Sequence, residues 1–269
     1  MNDSSRAAQA LLIVLAVLAA LACAGCSKLF PPRREVRQRR HRERTASRSR
    51  GPRLAIIIDD MGNDSSQARA VLELPFPLTA SVMPHREYSS QTADEVWRRG
   101  DQVMLHLPMQ PIDDGAQSEK IELRVGMSAD QMRSVLAGML ATVPHAVGVN
   151  NHEGSRATAD PRLMGELMPL LRERGLFFID SRTTAATVAY ETAERAGVHA
   201  ASRKVFLDDT ATRAAVLAQL ELAARDAERD GSAIAIGHPH PETIAALAEG
   251  VPKLQRRGIH LVFASQLAH

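Results

Sequence analysis

Residues 54–62 read Leu-Ala-Ile-Ile-Ile-Asp-Asp-Met-Gly. An unbroken apolar run rich in β-branched side chains describes a strand buried on both faces, the habit of parallel sheets. Asp59 and Asp60 close the run with polar side chains at its C-terminal end. The same plan recurs along the chain. Leu78–Met83, Gln102–Leu105, Ala146–Val149, Leu176–Ile179, Lys204–Leu207, Ala233–Ile236 and Ile259–Phe263 read as further strands. Helices are predicted between them: around Arg86–Arg99, stopped by Gly100, and from the N-cap Ser128 to about Thr142. A third is opened by Asp160-Pro161 and ends near Gly175; others cover about Ala185–Ala196 and Thr212–Arg229. This alternation predicts an α/β fold whose seven or so parallel strands close into a barrel.

Nearly every predicted strand ends in His, Asp or Asn. The C-terminal ends of parallel strands converge on one rim, so Asp59, Asp60, His106, His152, Asp180, Asp208 and His238 are expected around a common cleft. A single such residue is more often a turn former or helix cap; seven at equivalent positions point to a site.

Composition narrows the chemistry. The formal charge is +2, but residues 1–53 hold 12 of the 33 Lys and Arg and only 3 of the 31 Asp and Glu. Residues 54–269 therefore carry 21 basic against 28 acidic side chains, a net of −7. The basic pI belongs to the N-terminal segment, and no nucleic-acid partner is inferred. Both cysteines, Cys23 and Cys26, precede the body, so any metal there must be held by His and carboxylate.

Residues 7–26 contain no charge and only one polar side chain, Gln9, so this run contacts lipid or is removed. Its end, Leu-Ala-Cys-Ala-Gly-Cys-Ser, resembles a bacterial lipobox with Cys26 as the lipidated residue. Residues 1–27 are thus expected to be a signal peptide, a lipoprotein signal or a membrane anchor, placing the body at the exported side of the cell envelope. Residues 28–53, with ten arginines, read as a basic disordered linker, either attached to anionic lipid or wall polymer or a solvated spacer.

Six segments resemble the divergent polysaccharide deacetylases, relatives of the NodB-type carbohydrate esterases. They are Ile56-Ile-Ile-Asp-Asp-Met-Gly62, Val103-Met-Leu-His-Leu-Pro-Met109, Val147-Gly-Val-Asn-Asn-His-Glu-Gly-Ser155, Phe178-Ile-Asp-Ser-Arg-Thr-Thr184, Val205-Phe-Leu-Asp-Asp209 and Ile234-Ala-Ile-Gly-His-Pro-His-Pro241. Together they cover the body in the family's order. The resemblance implies a distorted (β/α) barrel over 54–269 and a metal-dependent hydrolase of carbohydrate metabolism that deacetylates an N- or O-acetylated envelope glycan. It implies Asp59 as catalytic base, Asp60 and His106 as metal ligands and His238 as general acid. Relatives place a second ligand His four residues after the first, where this chain has Gln110; His152 is the candidate replacement. Two His and one carboxylate make the donor set of a catalytic divalent site, with Zn2+ the expected ion. Asn151, Asp180 and Arg182 are assigned to substrate contact, the last two with an internal salt link as alternative. Asp208 and Asp209 read as strand-end caps, and Trp97 as helix packing. Aromatic residues make up only 3% of the chain, sparse for gripping long glycans. The competing reading is a non-catalytic envelope protein that keeps the fold and binds metal or glycan without turnover.

Overall fold

A computed structural model describes residues 51–113 and 119–269. Cys26, the apolar run and the basic segment lie outside the described residues. Among the described residues no helix is long and apolar enough to cross a membrane.

Among the described residues nine parallel strands and seven α-helices follow one another in the order β1 (Arg53–Met61), α1 (Ser65–Leu72), β2 (Thr79–Val82), α2 (Ser89–Arg99), β3 (Gln102–Met109), α3 (Ala129–Thr142), β4 (Gly148–Glu153), α4 (Pro161–Glu173), β5 (Phe177–Asp180), α5 (Ala189–Ala196), β6 (Ala200–Ser202), β7 (Val205–Phe206), α6 (Arg213–Asp230), β8 (Ser232–Gly237), α7 (Pro241–Arg256) and β9 (His260–Leu261). The helices begin where capping chemistry allows. Ser128 and Gln131 form a reciprocal capping box, and Asp160 accepts from Leu163 N with Pro161 in the first turn. Of these strands only β6 has no counterpart in the reading of the sequence, because its three residues are too few to show a pattern. Arg53, read as the end of the linker, is the first residue of β1.

The sheet order is β6-β5-β4-β3-β2-β1-β8-β7, with β9 beside β1. β6 and β7 are consecutive in the chain yet stand at opposite ends of the sheet and do not pair. The sheet is thus a curled, open (β/α) barrel with a seam between these two strands, not a closed one.

Side-chain alternation divides the core. On the outer face Leu54, Ile56, Ile58, Val103, Leu105, Leu107, Phe178 and Ala235 pack against the helices. On the inner face Ala55, Ile57, Met104, Phe177, Ile179, Ile234 and Ile236 form a second cluster, closed by Ala264, Leu267 and Ala268 of the C-terminal segment. That segment is held at the N-terminal ends of the strands: Ala264 N donates to Thr79 Oγ1 (3.0 Å), and Ala200 and His269 exchange backbone hydrogen bonds. Trp97 does not pack into the core. It is 56% exposed and stacks on His145 at 4.4 Å, because it falls on the outward face of α2, whose buried stripe is Ser89, Thr92, Ala93 and Val96.

Candidate metal centre and active-site cleft

The inner face of the barrel carries apolar side chains until the strands end, and there the same face turns polar. Following each inward row upward, Ala55 and Ile57 lead to Asp59, Met104 to His106, Phe177 and Ile179 to Ser181, and Ile234 and Ile236 to His238. The site is the top layer of the barrel interior. Asn150, fully buried on β4, joins it. Its Nδ2 donates to both oxygens of Asp59 (2.9 and 3.1 Å) and to Ser181 Oγ (3.2 Å); its Oδ1 faces Ser81 Oγ (2.5 Å) and His106 Nδ1 (2.9 Å). Both donors and both lone pairs of the amide are thereby used. Because an ionised Asp59 only accepts, Nδ2 must face it, Oδ1 must face His106, and His106 must carry its proton on Nδ1. Nε2 is left turned toward the cleft.

Asp60 breaks the alternation. Strict pleating would point it away from Asp59, but the β1–β2 register shifts between Ile58 and Met61, and Asp60 adopts φ 56°. This left-handed bulge turns the second carboxylate onto the side of the first. Asp60 Oδ1 lies 3.3 Å from His106 Nε2 and 3.2 Å from His152 Nδ1, and the two nitrogens are 3.1 Å apart. Tetrahedral ligands bound at about 2.0 Å to one ion stand about 3.3 Å from each other. The triangle therefore has the edge lengths of a ligand face. Asp60 Oδ1 is also buried and accepts no hydrogen bond, so neither ring is aligned to donate to it. An orphaned carboxylate oxygen beside two imidazole nitrogens is a donor set that fits a divalent cation.

Charge shapes the same cluster. Burial alone would lower the His106 imidazole, but the Asp59 and Asp60 carboxylates outweigh it and lift the ring to about 9. Burial likewise works against ionising Asp60, yet the charges of the adjacent His106 and His152 imidazoles hold its carboxyl well below the usual range. Asp59 goes the other way: burial pushes it up, only partly offset by His106, His238 and Asn150.

His238 closes the cleft from β8. Its Nδ1 is 3.0 Å from Asp208 Oδ1, while Asp208 Oδ2 accepts from His238 N (2.6 Å) and Thr243 Oγ1 (2.8 Å). This leaves His238 Nε2 facing inward, 3.8 Å from Asp60 Oδ2. Gly237 leaves room for this approach: a Cβ there would crowd Asp208 Oδ2, Leu207 and Thr243, each at 3.2 Å. Burial lowers the His238 ring, but the Asp208 hydrogen bond and nearby carboxylates outweigh it and raise it overall. Asp208 is therefore more than the strand-end cap expected; it fixes the orientation of His238. His240, at the N-cap of α7, places its ring 5.7 Å from that of His238.

A cleft of about 650 Å³ opens over these groups, lined among others by Asp59, His106, His152, Arg182, Phe206 and His238. Of the expected site residues the structure brings together Asp59, Asp60, His106, His152 and His238. Asn151 and Arg182 line the cleft, although the Asn151 side chain is spent on Ser181 N, Glu153 O and Thr183 Oγ1, tying β4 to the loop after β5. Asp180 is elsewhere. Its position alternates with Ile179 and Ser181, so it faces outward, buried, accepting from Arg182 N and Thr187 Oγ1. Among the described residues its carboxylate forms no salt link, and it points away from the cleft. Gln110 is structural too: its Oε1 accepts from Val125 N and its carbonyl from Arg156 N and Ala157 N. Asn150 and Ser181 are the site residues that sequence reasoning missed, and the period of two along β4 and β5 was the signal for them; Asp208 was expected at the rim, but not as the partner of His238.

Comparison with known proteins agrees with this architecture. Residues 56–268 match the family model described as divergent polysaccharide deacetylase. An uncharacterised protein of Haemophilus influenzae is 41% identical over 205 residues, 75% of this chain and 72% of its own length. The uncharacterised protein YibQ of Escherichia coli K12 is 39% identical over 215 residues, 80% of this chain and 67% of its own. An uncharacterised protein of Agrobacterium tumefaciens C58 superposes with a TM-score of 0.77 at 26% identity, covering 81% of this chain and 90% of that one. The fold is also shared at 13% identity, with TM-scores of 0.50, by the peptidoglycan deacetylase PdaC of Bacillus subtilis and by a CE4 family pseudoenzyme from Bacillus anthracis. Both alignments cover 81% of this chain, with 90% of the former and 65% of the latter. With its Asp-Asp strand end, its inward histidines and this match over the whole folded body, the chain belongs to the divergent polysaccharide deacetylase family.

Proposed function

We propose that this chain is a divalent-metal-dependent hydrolase, with Zn2+ its ion, that removes acetyl groups from an envelope glycan. The observation that carries the reading is the triangle of Asp60 Oδ1, His106 Nε2 and His152 Nδ1 on the same cleft as Asp59 and His238. A zinc ion held there supplies Lewis acidity and lowers the pKa of bound water. The remaining chemistry belongs to side chains. Asp59 is buried, and that burial raises its affinity for a proton, so its carboxylate takes one from the attacking water. Asn150 holds that carboxylate and, through the same amide, the His106 ring. His238 delivers a proton from Nε2 to the departing nitrogen or oxygen, its Nδ1–H secured on Asp208. The placement at the envelope rests on the N-terminal run and remains part of the proposal.

The pseudoenzyme among the fold neighbours favours a second reading, in which metal and glycan bind without turnover. Full-length protein, metal-stripped and reloaded with Zn2+, is assayed for acetate release from N- and O-acetylated glycans, beside Asp60→Ala and His106→Ala. The expected result is stoichiometric metal and acetate release in the native chain, and neither in the variants. Equal metal content in all three overturns the ligand set; metal without acetate release establishes the non-catalytic reading.

A further inference from the structure

One wall of the cleft carries a pair of arginines. Arg182 is exposed at the C-terminal end of β5 with φ 50°, a left-handed backbone rarely adopted by a side-chain-bearing residue. Three contacts impose it. Arg182 N donates to Asp180 Oδ1 (2.8 Å), Arg203 Nη2 donates to Arg182 O (3.0 Å), and Arg203 Nε donates to Ser181 O (2.6 Å). The Arg203 guanidinium also lies 5.1 Å over the ring of Phe206, whose edge meets His238 at 5.3 Å. Arg203 thus reaches across the seam, from the loop after β5 to β7, and the side chain it does not tie down is that of Arg182.

The pair is unneutralised. Among the described residues no carboxylate lies within salt-bridge distance of Arg182 or Arg203. Burial and the neighbouring Arg182 charge both disfavour the Arg203 cation, with Asp180, Asp59 and Asp209 compensating only at longer range. Lys204, the other cation of this wall, lies near Asp230 (3.9 Å). Two neighbouring guanidiniums without a carboxylate partner, in a body of net charge −7, make a local positive patch that favours a visiting anion. Their position gives the anion's place. Arg182 lines both the cleft above the metal triangle and a second groove of about 430 Å³ that runs along the seam past Tyr190, Ala201, Ser232 and Leu267. It stands where the two meet, outward from the reacting groups.

We infer that the glycan recognised by this site carries an oxyanion substituent, a carboxylate or a phosphate, on or next to the acetylated sugar, and that Arg182 takes it as a forked ligand. This rests on the deacetylase reading for the sugar but not for the charge. The test is therefore a binding measurement. Three N-acetylated oligosaccharides of equal length, one neutral, one bearing carboxylates and one bearing phosphate esters, are titrated into the Zn2+-loaded Asp59→Asn chain by calorimetry. The titration is repeated on EDTA-treated native protein in case the variant does not fold. At least one anionic ligand is expected to bind about tenfold tighter than the neutral one. That ratio should shrink as salt is raised from 20 to 300 mM, fall to within about twofold in Arg182→Gln, and be partly kept in Arg182→Lys. Which arm wins identifies the oxyanion. Equal affinity for all three, no binding of any, or a preference that survives Arg182→Gln overturns the inference. Absence of acetate release from native protein that nonetheless prefers the anionic ligand overturns the hydrolase reading alone.

Discussion

Asn150→Ala tests whether one buried amide organises both the base and the metal site. The substitution removes a group whose two donors and two acceptors are all occupied. Ser81 and Ser181 hydroxyls can turn to other partners, but the Asp59 carboxylate and the His106 Nδ1–H are left buried and unmet. Each unmet buried group costs about 1–3 kcal/mol, so metal-free protein should lose about 2–6 kcal/mol. In a folded body of this size that is a fall in Tm of about 10 °C. The metal adds a second, separable loss. A ligand histidine deprived of its orienting partner weakens metal binding by about 10–100-fold. At fixed Zn2+ this removes a further 1.4–2.7 kcal/mol or so of metal-linked stability. Thermal melts of native and variant protein, each in EDTA and in saturating Zn2+, read both quantities. The gap between the two proteins should be wider with metal than without. An equal gap in both buffers would show that Asn150 supports only the fold and would refute its role in presenting His106.

Two other outcomes follow from the same geometry. Asp208→Asn should keep the metal content of the native chain while lowering kcat by about 10²–10⁴-fold, since His238 loses the acceptor that fixes its Nδ1–H; a matching loss of metal would contradict the separation of the two sites. Metal-free protein should lose stability with rising pH, because His106 is raised to about 9 in the folded state and its contribution, present in full below about 6.5, disappears as pH climbs through 9. Melts in EDTA at pH 6.5, 8 and 9.5 check the sign, and a Tm that stays level or rises across that range would refute it.

Much of this was legible in the chain. The run Leu54–Ile58 ending in Asp59-Asp60, and its repetition, determined a parallel α/β sheet with a polar rim, because a strand apolar on both faces has no other stable place. The composition determined that any metal in the body would have to be held by His and carboxylate, since the body holds no cysteine. What the sequence could not convey is direction. Asp180 and Ser181 are neighbours, yet the pleat buries the first beneath α5 and turns the second into the site. Asp60 should by the same pleat face away from Asp59; only the bulge at φ 56°, fixed by the pairing of β1 with β2, brings it to His106 and His152. Asp208 reaches His238 across 30 residues because β7 and β8 lie side by side. Spacing along a strand is local and readable in advance, whereas the meeting of side chains from different strands depends on sheet order and register, which exist only once the chain has folded.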